Sequence, residues 1–218
     1  MTARLTVAFA GPHVTVQDGG RPGLARFGVP RSGAMDRLAL AAANLAVGNV
    51  PEAAAIEVSL GGLQLDCVGG PISFAVAGGG FIVEHGRHKG GSWQVATLQP
   101  GERLVIRRGP WGSWTYLGFA GEMQAGTWLG SAATHALSGL GGGALRAGQE
   151  VVIDGARVLA DGAIPCPVWA RPRAEVGVVL GPQDRFFGAD RIEVLLGATF
   201  RLTDAYDRMG VRLRGPSL

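Results

Sequence analysis

The sequence predicts a mainly β protein, and two observations support this. Glycine is the outstanding residue type: 37 glycines are spread along 218 residues, where they separate short apolar runs. Tight turns between short strands use glycine in this way. Several runs also have the period of a strand, as at residues 63–67, where apolar and polar residues alternate. The glycines follow no G-X-Y period, so a collagen-like fibre is excluded.

Composition and charge exclude several classes of protein. The chain is 47% hydrophobic and 17% charged, which is typical of a compact globular protein. The net charge of +3 is not gathered into a basic block interleaved with aromatic residues, so nucleic-acid binding is not expected. The N-terminus lacks the features of a signal peptide, and the longest apolar runs are too short to span a bilayer. We therefore expect a cytoplasmic protein that does not enter a membrane.

One short helix is expected near residues 34–47. Ser32 or Asp36 can cap its first turn, and Gly48 can end it. The residues of its predicted apolar face are Leu38, Ala41, Ala42 and Leu45.

A proline-rich stretch divides the chain into two predicted lobes. The lobes and their connection are residues 1–164, 165–174 and 175–218. In the second lobe, residues 175–180 are expected to form a strand, and residues 199–203 and 211–214 a strand pair. A lobe with so few strands lies at the lower edge of independent stability, so the second lobe is expected to be incomplete.

The most constrained polar stretch, residues 15–36, is the candidate functional site. Arginine binds carboxylate or phosphate through two hydrogen bonds, and a helix N-terminus favours negative charge, so one interpretation is an anion site. In the other, the aspartates are turn and cap residues that pair with the arginines, and spacing alone leaves both open. The polar residues concerned are Gln17, Asp18, Arg21, Arg31, Ser32 and Asp36.

No metal site is expected. Cys67 and Cys166 lack the spacing of a zinc site or redox pair, so both are expected to be free thiols. His85 and His88 form a close pair, but the sequence indicates no further ligands for them.

The later polar and aromatic segments favour structural roles. The glycine run at residues 139–143 matches neither a P-loop nor a dinucleotide-binding motif. Ser138 lacks the glycine two residues earlier that a nucleophile elbow requires, so it is expected to be a loop residue. The aromatic residues are expected to pack in the core: Trp111, Trp114, Tyr116, Phe119 and Trp128.

Longer blocks of sequence resemble a known family. The first block reads Val-Gln-Asp-Gly-Gly-Arg-Pro-Gly from residue 16 and Gly-Val-Pro-Arg-Ser-Gly-Ala-Met-Asp from residue 28. Further blocks follow in order at residues 43–44, 47–49, 55–57, 129–131, 138–142, 181–183 and 207–215. Over essentially its whole length the chain is similar to the biotin-dependent carboxyltransferase family, also called the allophanate hydrolase subunit 2 family. This family includes the C subunit of the bacterial 5-oxoprolinase.

The resemblance implies a cyclophilin-like β-barrel architecture and a multi-subunit enzyme. Relatives act in ATP-dependent systems that open 5-oxoproline to glutamate or transfer a carboxyl group to urea, so the expected substrate is a small amide or lactam. The expected partners are a subunit 1 (or B-type) protein and an A-type protein of the same system. ATP would be used by the assembly, and biotin would be carried by a partner.

The resemblance also implies roles for individual residues. Asp18 and Asp207 are the expected catalytic residues, since either can shuttle a proton during attack on an amide. The expected substrate-binding residues are Gln17, Arg21, Arg31, Ser32, Asp36, Ser131 and Arg208. Ala132 stands where the family usually has an arginine, so one anion contact is expected to be absent.

The family pattern continues with a further barrel segment after the block at residues 207–215, so a shortened second lobe is expected. An alternative function is therefore a non-catalytic regulatory module that binds the subunit 1 partner. Ala132 and the short second lobe favour that alternative.

Overall fold

Residues 1–206, 208 and 210–218 are described by the structure, a computed structural model. They form two compact units, Met1–Pro172 and Arg173–Leu218. The expected division at residues 165–174 stays a prediction about domain organisation.

Within residues 1–172, eleven strands form one sheet. They are β1 (Ala3–Ala10), β2 (Thr15–Gln17), β3 (Ala55–Ser59), β4 (Leu63–Gly69), β5 (Ile72–His85), β6 (His88–Gly91), β7 (Gln94–Leu98), β8 (Arg103–Phe119), β9 (Glu122–Met123), β10 (Glu150–Asp154) and β11 (Gly162–Ala163). Their pairings are antiparallel, which short glycine-containing turns permit. The mainly β class is confirmed.

The strand pairing follows an open path. Its order is β11-β7-β5-β8-β4-β1-β10-β9, with β6 beside β5, and with β2 joined through β3 to β8. Among the described residues the end strands β9 and β11 do not pair with one another, so the barrel that the resemblance implies does not close. Each end strand is only two residues long, so it offers few hydrogen-bonding groups for closure.

Strands β5 and β8 form the centre of this unit. They pair over most of their length, from Phe74 opposite Phe119 to His85 opposite Leu104. The register shifts on both sides of Gly80, and such bulges bend a strand and redirect its side chains.

The expected helix is α1 (Arg37–Ala46), and Asp36 is its N-cap. The carboxylate Oδ1 of Asp36 accepts a hydrogen bond from Ala39 N at 3.0 Å. This satisfies one of the free N–H groups of the first turn.

The buried face of α1 differs from the predicted one. Its buried residues are Ala39, Leu40, Ala43 and Asn44. Leu38 and Leu45, which were predicted to face the core, are 60% and 59% exposed. Asn44 decides the orientation, because its Nδ2 donates to Pro51 O at 3.2 Å and to Ala53 O at 2.8 Å. A buried amide needs such partners, so it fixes the side of the helix that turns inward.

The second unit contains α2 (Ala189–Gly197) and the strands β12 (Arg201–Tyr206) and β13 (Val211–Arg214). The predicted strand pair is confirmed, with Arg201 opposite Arg214. The predicted strand at residues 175–180 is wrong: these residues are exposed and have no regular structure. No described strand pairs with them, and an apolar run without a partner strand does not form a ladder.

Three short 3₁₀ helices complete the described elements: Ala25–Phe27, Val168–Ala170 and Asp184–Phe186. None of the described helices has the length and hydropathy that crossing a bilayer requires.

Replacing Leu40 by alanine tests the buried face of α1. Leu40 is 1% exposed. Leu40→Ala is expected to lower the free energy of unfolding by ~2–5 kcal/mol, because it removes buried surface and leaves a cavity. Leu38→Ala on the exposed face is the matched control, with an expected change below about 0.5 kcal/mol. Urea denaturation followed by circular dichroism measures both, and equal losses would contradict the orientation of the helix.

Candidate functional site

The polar stretch folds back on itself, and residues 17–36 are called the folded loop below. Arg21 N donates a hydrogen bond to Arg31 O at 2.8 Å. At this contact Gly20 has φ +81°, and a Cβ atom there would lie 2.7 Å from Ser32 O. Glycine alone tolerates both the backbone angle and the close approach, so the predicted turn residues bring two parts of the loop together.

The carboxylate of Asp18 ties the folded loop to residues 128–134, which are called the second loop below. Its Oδ1 accepts hydrogen bonds from Gly20 N and Ser131 Oγ, both at 2.7 Å, and its Oδ2 accepts one from Ala132 N at 2.7 Å. Ser131 is buried, and its Oγ accepts a further bond from Ala133 N at 3.1 Å. Charge-assisted hydrogen bonds of this kind are the strong ones, so Asp18 holds the two loops together.

Arg21 is buried beside the same second loop. Its Nε donates to Trp128 O at 3.2 Å, and its Nη2 donates to Ala133 O. The guanidinium carbon lies 4.8 Å from the ring centroid of Trp128, a cation–π contact. Among the described residues no carboxylate pairs with Arg21, and its Nη1 has no hydrogen-bond partner. Arg21 therefore does not form, with any described residue, the ion pair with an aspartate that one interpretation of the sequence predicts.

Gln17 is also an internal residue. Its Nε2 donates to Thr15 Oγ1 at 2.9 Å and to Thr134 O at 3.4 Å, while its Oε1 has no partner among the described residues. Gln17 and Arg21 thus both anchor the second loop through its carbonyl oxygens.

Arg31 and Ser32 remain nearer the surface. Arg31 is exposed, and its Nη2 lies 3.5 Å from Gly19 O, a weak contact. Ser32 is half-buried with φ +54°, an angle that few residues other than glycine adopt. Of the folded loop's predicted site residues, the guanidinium of Arg31 is the one most open to a ligand.

A cleft of about 620 Å³ opens beside Asp18, and it is called the Asp18 cleft below. Its lining includes Asp18, Ala132, Asn49 and Arg157. Arg157 Nη2 donates to Val47 O at 2.9 Å and to Asn49 Oδ1 at 3.1 Å. The volume lies in the range of small-molecule sites, roughly 300–1,000 Å³. Sequence reasoning missed Arg157, because nothing in its own neighbourhood marks it; its bonds to the end of α1 bring it to the cleft.

The start of α1 rests on a buried polar network. Glu57 Oε2 accepts hydrogen bonds from Met35 N at 3.0 Å and from Tyr116 Oη at 2.9 Å, and Tyr116 Oη accepts one from Asp36 N at 2.7 Å. Glu57 and Tyr116 are fully buried. Burial raises the pKa of Tyr116 well above its ordinary value, so the hydroxyl keeps its proton and donates a hydrogen bond to Glu57. The one sequence signal for this network was a glutamate inside an apolar run.

The last two predicted site residues belong to the second unit. Arg208 is half-buried on a bend between β12 and β13, and burial lowers its pKa to about 10. Its guanidinium therefore stays charged at neutral pH. Asp207 lies outside the described residues.

Two amides of the glycine-rich loop at residues 139–143 form hydrogen bonds within the protein. Gly139 N donates to His135 O and Gly142 N donates to Ala132 O, both at 2.8 Å, so these amides are used within the protein. Phosphate loops instead point their backbone amides at the ligand. These two amides are therefore not available to a phosphate.

Ser138 lies on an exposed turn of the same loop, as expected, with its Oγ 2.7 Å from His135 Nδ1. Cys67 and Cys166 are free thiols, as the sequence predicts. In the described part of the chain, no group of three or more histidine, cysteine, aspartate or glutamate side chains is placed to hold a metal ion.

Comparison with known proteins identifies the family. The model of the carboxyltransferase domain, subdomain A and B, matches residues 27–218. The chain belongs to this carboxyltransferase domain family. The family predicted from the sequence blocks is thereby confirmed.

Relatives carry two different enzyme names. The chain is 30% identical to the C subunit of 5-oxoprolinase from Escherichia coli over 220 residues, which is 98% of this chain and 69% of that protein. It is also 30% identical to urea amidolyase of Lachancea kluyveri over 230 residues, which is 96% of this chain and 12% of that protein. The chain thus spans about two thirds of the first relative and a small part of the second.

Solved structures of two proteins superpose on nearly the whole chain. The crystal structure of TTHA0988 has a TM-score of 0.83 and 32% identity, over 99% of this chain and 43% of that one. The Kluyveromyces lactis urea amidolyase has a TM-score of 0.81 and 27% identity, over 98% of this chain and 14% of that one. The described strands therefore form the fold of carboxyltransferase domains.

Removing the hydroxyl of Ser131 tests how firmly Asp18 holds the two loops. Ser131→Ala deletes a 2.7 Å bond to a carboxylate, so the free energy of unfolding is expected to fall by ~1.5–3 kcal/mol. Ser138→Ala is the matched control on the exposed turn, with an expected change below about 0.5 kcal/mol. Thermal and urea denaturation measure both variants. A silent Ser131→Ala variant would contradict a holding role for the Asp18 contact.

His85 is expected to make stability depend on pH. His85 and His88 face each other across the hairpin of β5 and β6, with ring centroids 5.0 Å apart, and His85 packs edge-on against Phe74. Burial, and then the charge of His88, lower the pKa of His85, while Glu102 and Asp161 act in the opposite direction. The folded state therefore disfavours protonated His85.

The unfolded chain consequently binds more protons in acid. The contribution of neutral His85 is complete above its unfolded pKa of ~6.5 and decreases as the pH falls below that value. His85→Gln cannot be protonated, so its urea midpoint is expected to decline less between pH ~7.5 and ~5 than that of the unmodified chain. The control is His13→Asn, on an exposed loop where φ is +61°, an angle that asparagine tolerates. An identical decline in all three proteins would rule out His85 as the sensitive group.

Proposed function

We propose that this chain belongs to an ATP-dependent enzyme system that processes an amide or lactam. The first candidate is the C subunit of a 5-oxoprolinase, which opens 5-oxoproline to glutamate; the carboxyltransferase part of a urea carboxylase is the second. Membership of the carboxyltransferase domain family and similarity to the C subunit of 5-oxoprolinase support this proposal.

The observation that carries the proposed site is the position of Asp18. Its carboxylate accepts three hydrogen bonds of 2.7 Å and also lines a cleft of about 620 Å³. A charged group held this firmly keeps a fixed position relative to a ligand, which is what binding and orienting a small amide require. We assign Asp18 to orienting the amide nitrogen, with Arg31 and Ser32 as surface contacts.

Four other proposed groups of the first unit have supporting roles. Gln17, Arg21 and Ser131 keep the two loops in place, since each bonds to the second loop or to Asp18. Asp36 caps α1. We keep Asp207 as a proposed catalytic residue and Arg208 as a proposed substrate-binding residue. Asp18 is better suited to orient a ligand than to carry a proton, because its oxygens already accept three hydrogen bonds.

The proposed cofactors and partners belong to the assembly. ATP hydrolysis is assigned to the A-type and B-type partners, since the glycine-rich loop of this chain uses its amides internally. Biotin, in the carboxyltransferase case, is assigned to a carrier on a partner. We place the assembly in the cytoplasm.

A second candidate function is a regulatory module that binds the subunit 1 (or B-type) partner without turnover. The lining of the Asp18 cleft favours it: Ala132 supplies a methyl group where relatives usually carry a cation, and Arg21 is tied to carbonyl oxygens. Loss of a charge-assisted contact of this kind weakens an anionic ligand by ~1.5–3 kcal/mol.

The proposal is tested on the chain purified together with its A-type and B-type partners. Asp18→Asn combined with Arg31→Ala is expected to reduce 5-oxoproline-dependent ATP hydrolysis by about 10²-fold, because both charged contacts that position the substrate are lost. Asp66→Asn is the matched control, since Asp66 is paired with Arg103 at the surface of β4 and is absent from the cleft lining. It is expected to leave turnover unchanged.

Further outcomes separate the candidates. If Ser131→Ala reduces turnover as much as the double variant does, the loss comes from distortion of the loops. That result would contradict the proposed substrate contact. A stable complex that turns over neither 5-oxoproline nor urea would favour the regulatory module. Urea-dependent loss of the carboxyl group from carboxybiotin would select the carboxyltransferase role.

A further inference from the structure

A second cleft lies at the start of α1, and it is called the tryptophan cleft below. Its volume is about 290 Å³, and its lining includes Trp111, Trp114, Gly79, Asp36 and Arg171. All of these residues belong to the first unit. The cleft differs from the Asp18 cleft and shares with the proposed function only Asp36.

The two indoles are not ordinary core residues. Trp111 and Trp114 are half-buried, whereas Phe74 and Tyr116 on the same pair of strands are fully buried. Half-buried aromatic rings in a concave site provide flat surfaces on which a planar ligand stacks.

Glycines bring the walls of the cleft together. A Cβ atom on Gly79 would lie 2.9 Å from Gly112 Cα, and one on Gly80 would collide with the indole of Trp111. Gly112 also has φ +77°, which other residues rarely adopt. The bulge near Gly80 in the β5–β8 pairing therefore shapes a narrow slot beside Trp111.

Asp36 provides a fixed acceptor at this cleft. Its Oδ1 caps α1, and Oδ2 has no donor among the described residues. Its backbone N–H is held at 2.7 Å by Tyr116 Oη, which donates to Glu57. The buried network thus holds in place a carboxylate oxygen with a free lone pair, which is suited to accept an N–H group.

Arg171 provides donors at the same cleft. Its Nη2 donates to Cys166 O at 3.0 Å, and no described carboxylate forms an ion pair with it. A guanidinium group has five N–H donors in a planar fork, so most of them stay available to a carbonyl or carboxylate oxygen.

We infer that the tryptophan cleft is a binding site for a planar nitrogen heterocycle that presents an N–H donor and a carbonyl oxygen. The ring stacks on the indoles of Trp111 and Trp114, its N–H bonds to Asp36, and its carbonyl oxygen accepts from Arg171. The cleft volume of about 290 Å³ accommodates one ring system.

Uracil, a planar ring with two N–H donors and two carbonyl oxygens, is a suitable probe. The isolated full chain is labelled with ¹⁵N, and the indole N–H signals of its five tryptophans are followed by NMR during titration. Uracil is expected to shift the signals of Trp111 and Trp114 saturably, with a Kd on the order of 1 mM for so small a ligand. The matched ligand 1,3-dimethyluracil has no N–H donor and is expected to bind about tenfold more weakly.

Variants test the assigned contacts. Asp36→Ser keeps an N-cap for α1 but cannot reach the ring, so about tenfold weaker uracil binding is expected; Arg171→Gln is expected to weaken it similarly. Trp169→Phe, which alters a tryptophan packed on Trp93 and absent from the cleft lining, is expected to bind as the unmodified chain does.

Equal binding of uracil and 1,3-dimethyluracil, the absence of a saturable shift, or shifts at the other tryptophans would overturn the inference. The assay measures binding without partner proteins or turnover. If the isolated chain does not bind uracil but its complex with the partners hydrolyses ATP in response to 5-oxoproline, only the tryptophan cleft assignment is contradicted. If the chain binds uracil but the complex shows no such hydrolysis, only the proposed function is contradicted.

Discussion

The buried hydrogen bond between Tyr116 and Glu57 fixes the position of the end of the folded loop. A buried carboxylate is costly unless donors surround it, and here two of those donors are the Tyr116 hydroxyl and the Met35 amide. Since Tyr116 also accepts from Asp36 N, strands β3 and β8 together fix the first residues of α1. The same buried hydrogen bonds therefore hold both the end of the folded loop and Asp36, the acceptor at the tryptophan cleft.

The folded loop shows how polar residues divide between support and exposure. Asp18 and Arg21 carry opposite charges, yet they do not pair: Asp18 holds Ser131 and Ala132, and Arg21 holds the carbonyl oxygens of the same loop. Each charged group instead forms hydrogen bonds with backbone or hydroxyl groups of the second loop. These bonds, and not an ion pair between Asp18 and Arg21, hold the second loop against the folded loop. Arg157, which no local motif marks, contributes to the polar lining of the Asp18 cleft.

Predictions from sequence succeeded where a local pattern carried the information. The alternating apolar runs, a helix cap at Ser32 or Asp36 and the strand pair of residues 199–203 and 211–214 were predicted. The structure contains the strands and has Asp36 as the cap. The face of α1 was predicted wrongly, because leucine is a stronger apolar signal than alanine. The sheet instead packs against Ala39 and Leu40, while Leu38 is exposed. Helical periodicity shows that a face exists, but the buried hydrogen bonds of Asn44 decide which face turns inward.

By itself the sequence determined the β class, the turns of the folded loop and the family, because glycine placement and apolar spacing are local properties. Only the tertiary structure decided the contacts of the site. Asp18 meets Ser131 across 113 positions of the chain, and Glu57 meets Tyr116 across 59. Such contacts depend on which strands pair and how the loops between them close, and no spacing within either segment encodes that choice. The candidate residues were therefore visible in the sequence, while the fold decided which of them are buried supports and which are exposed.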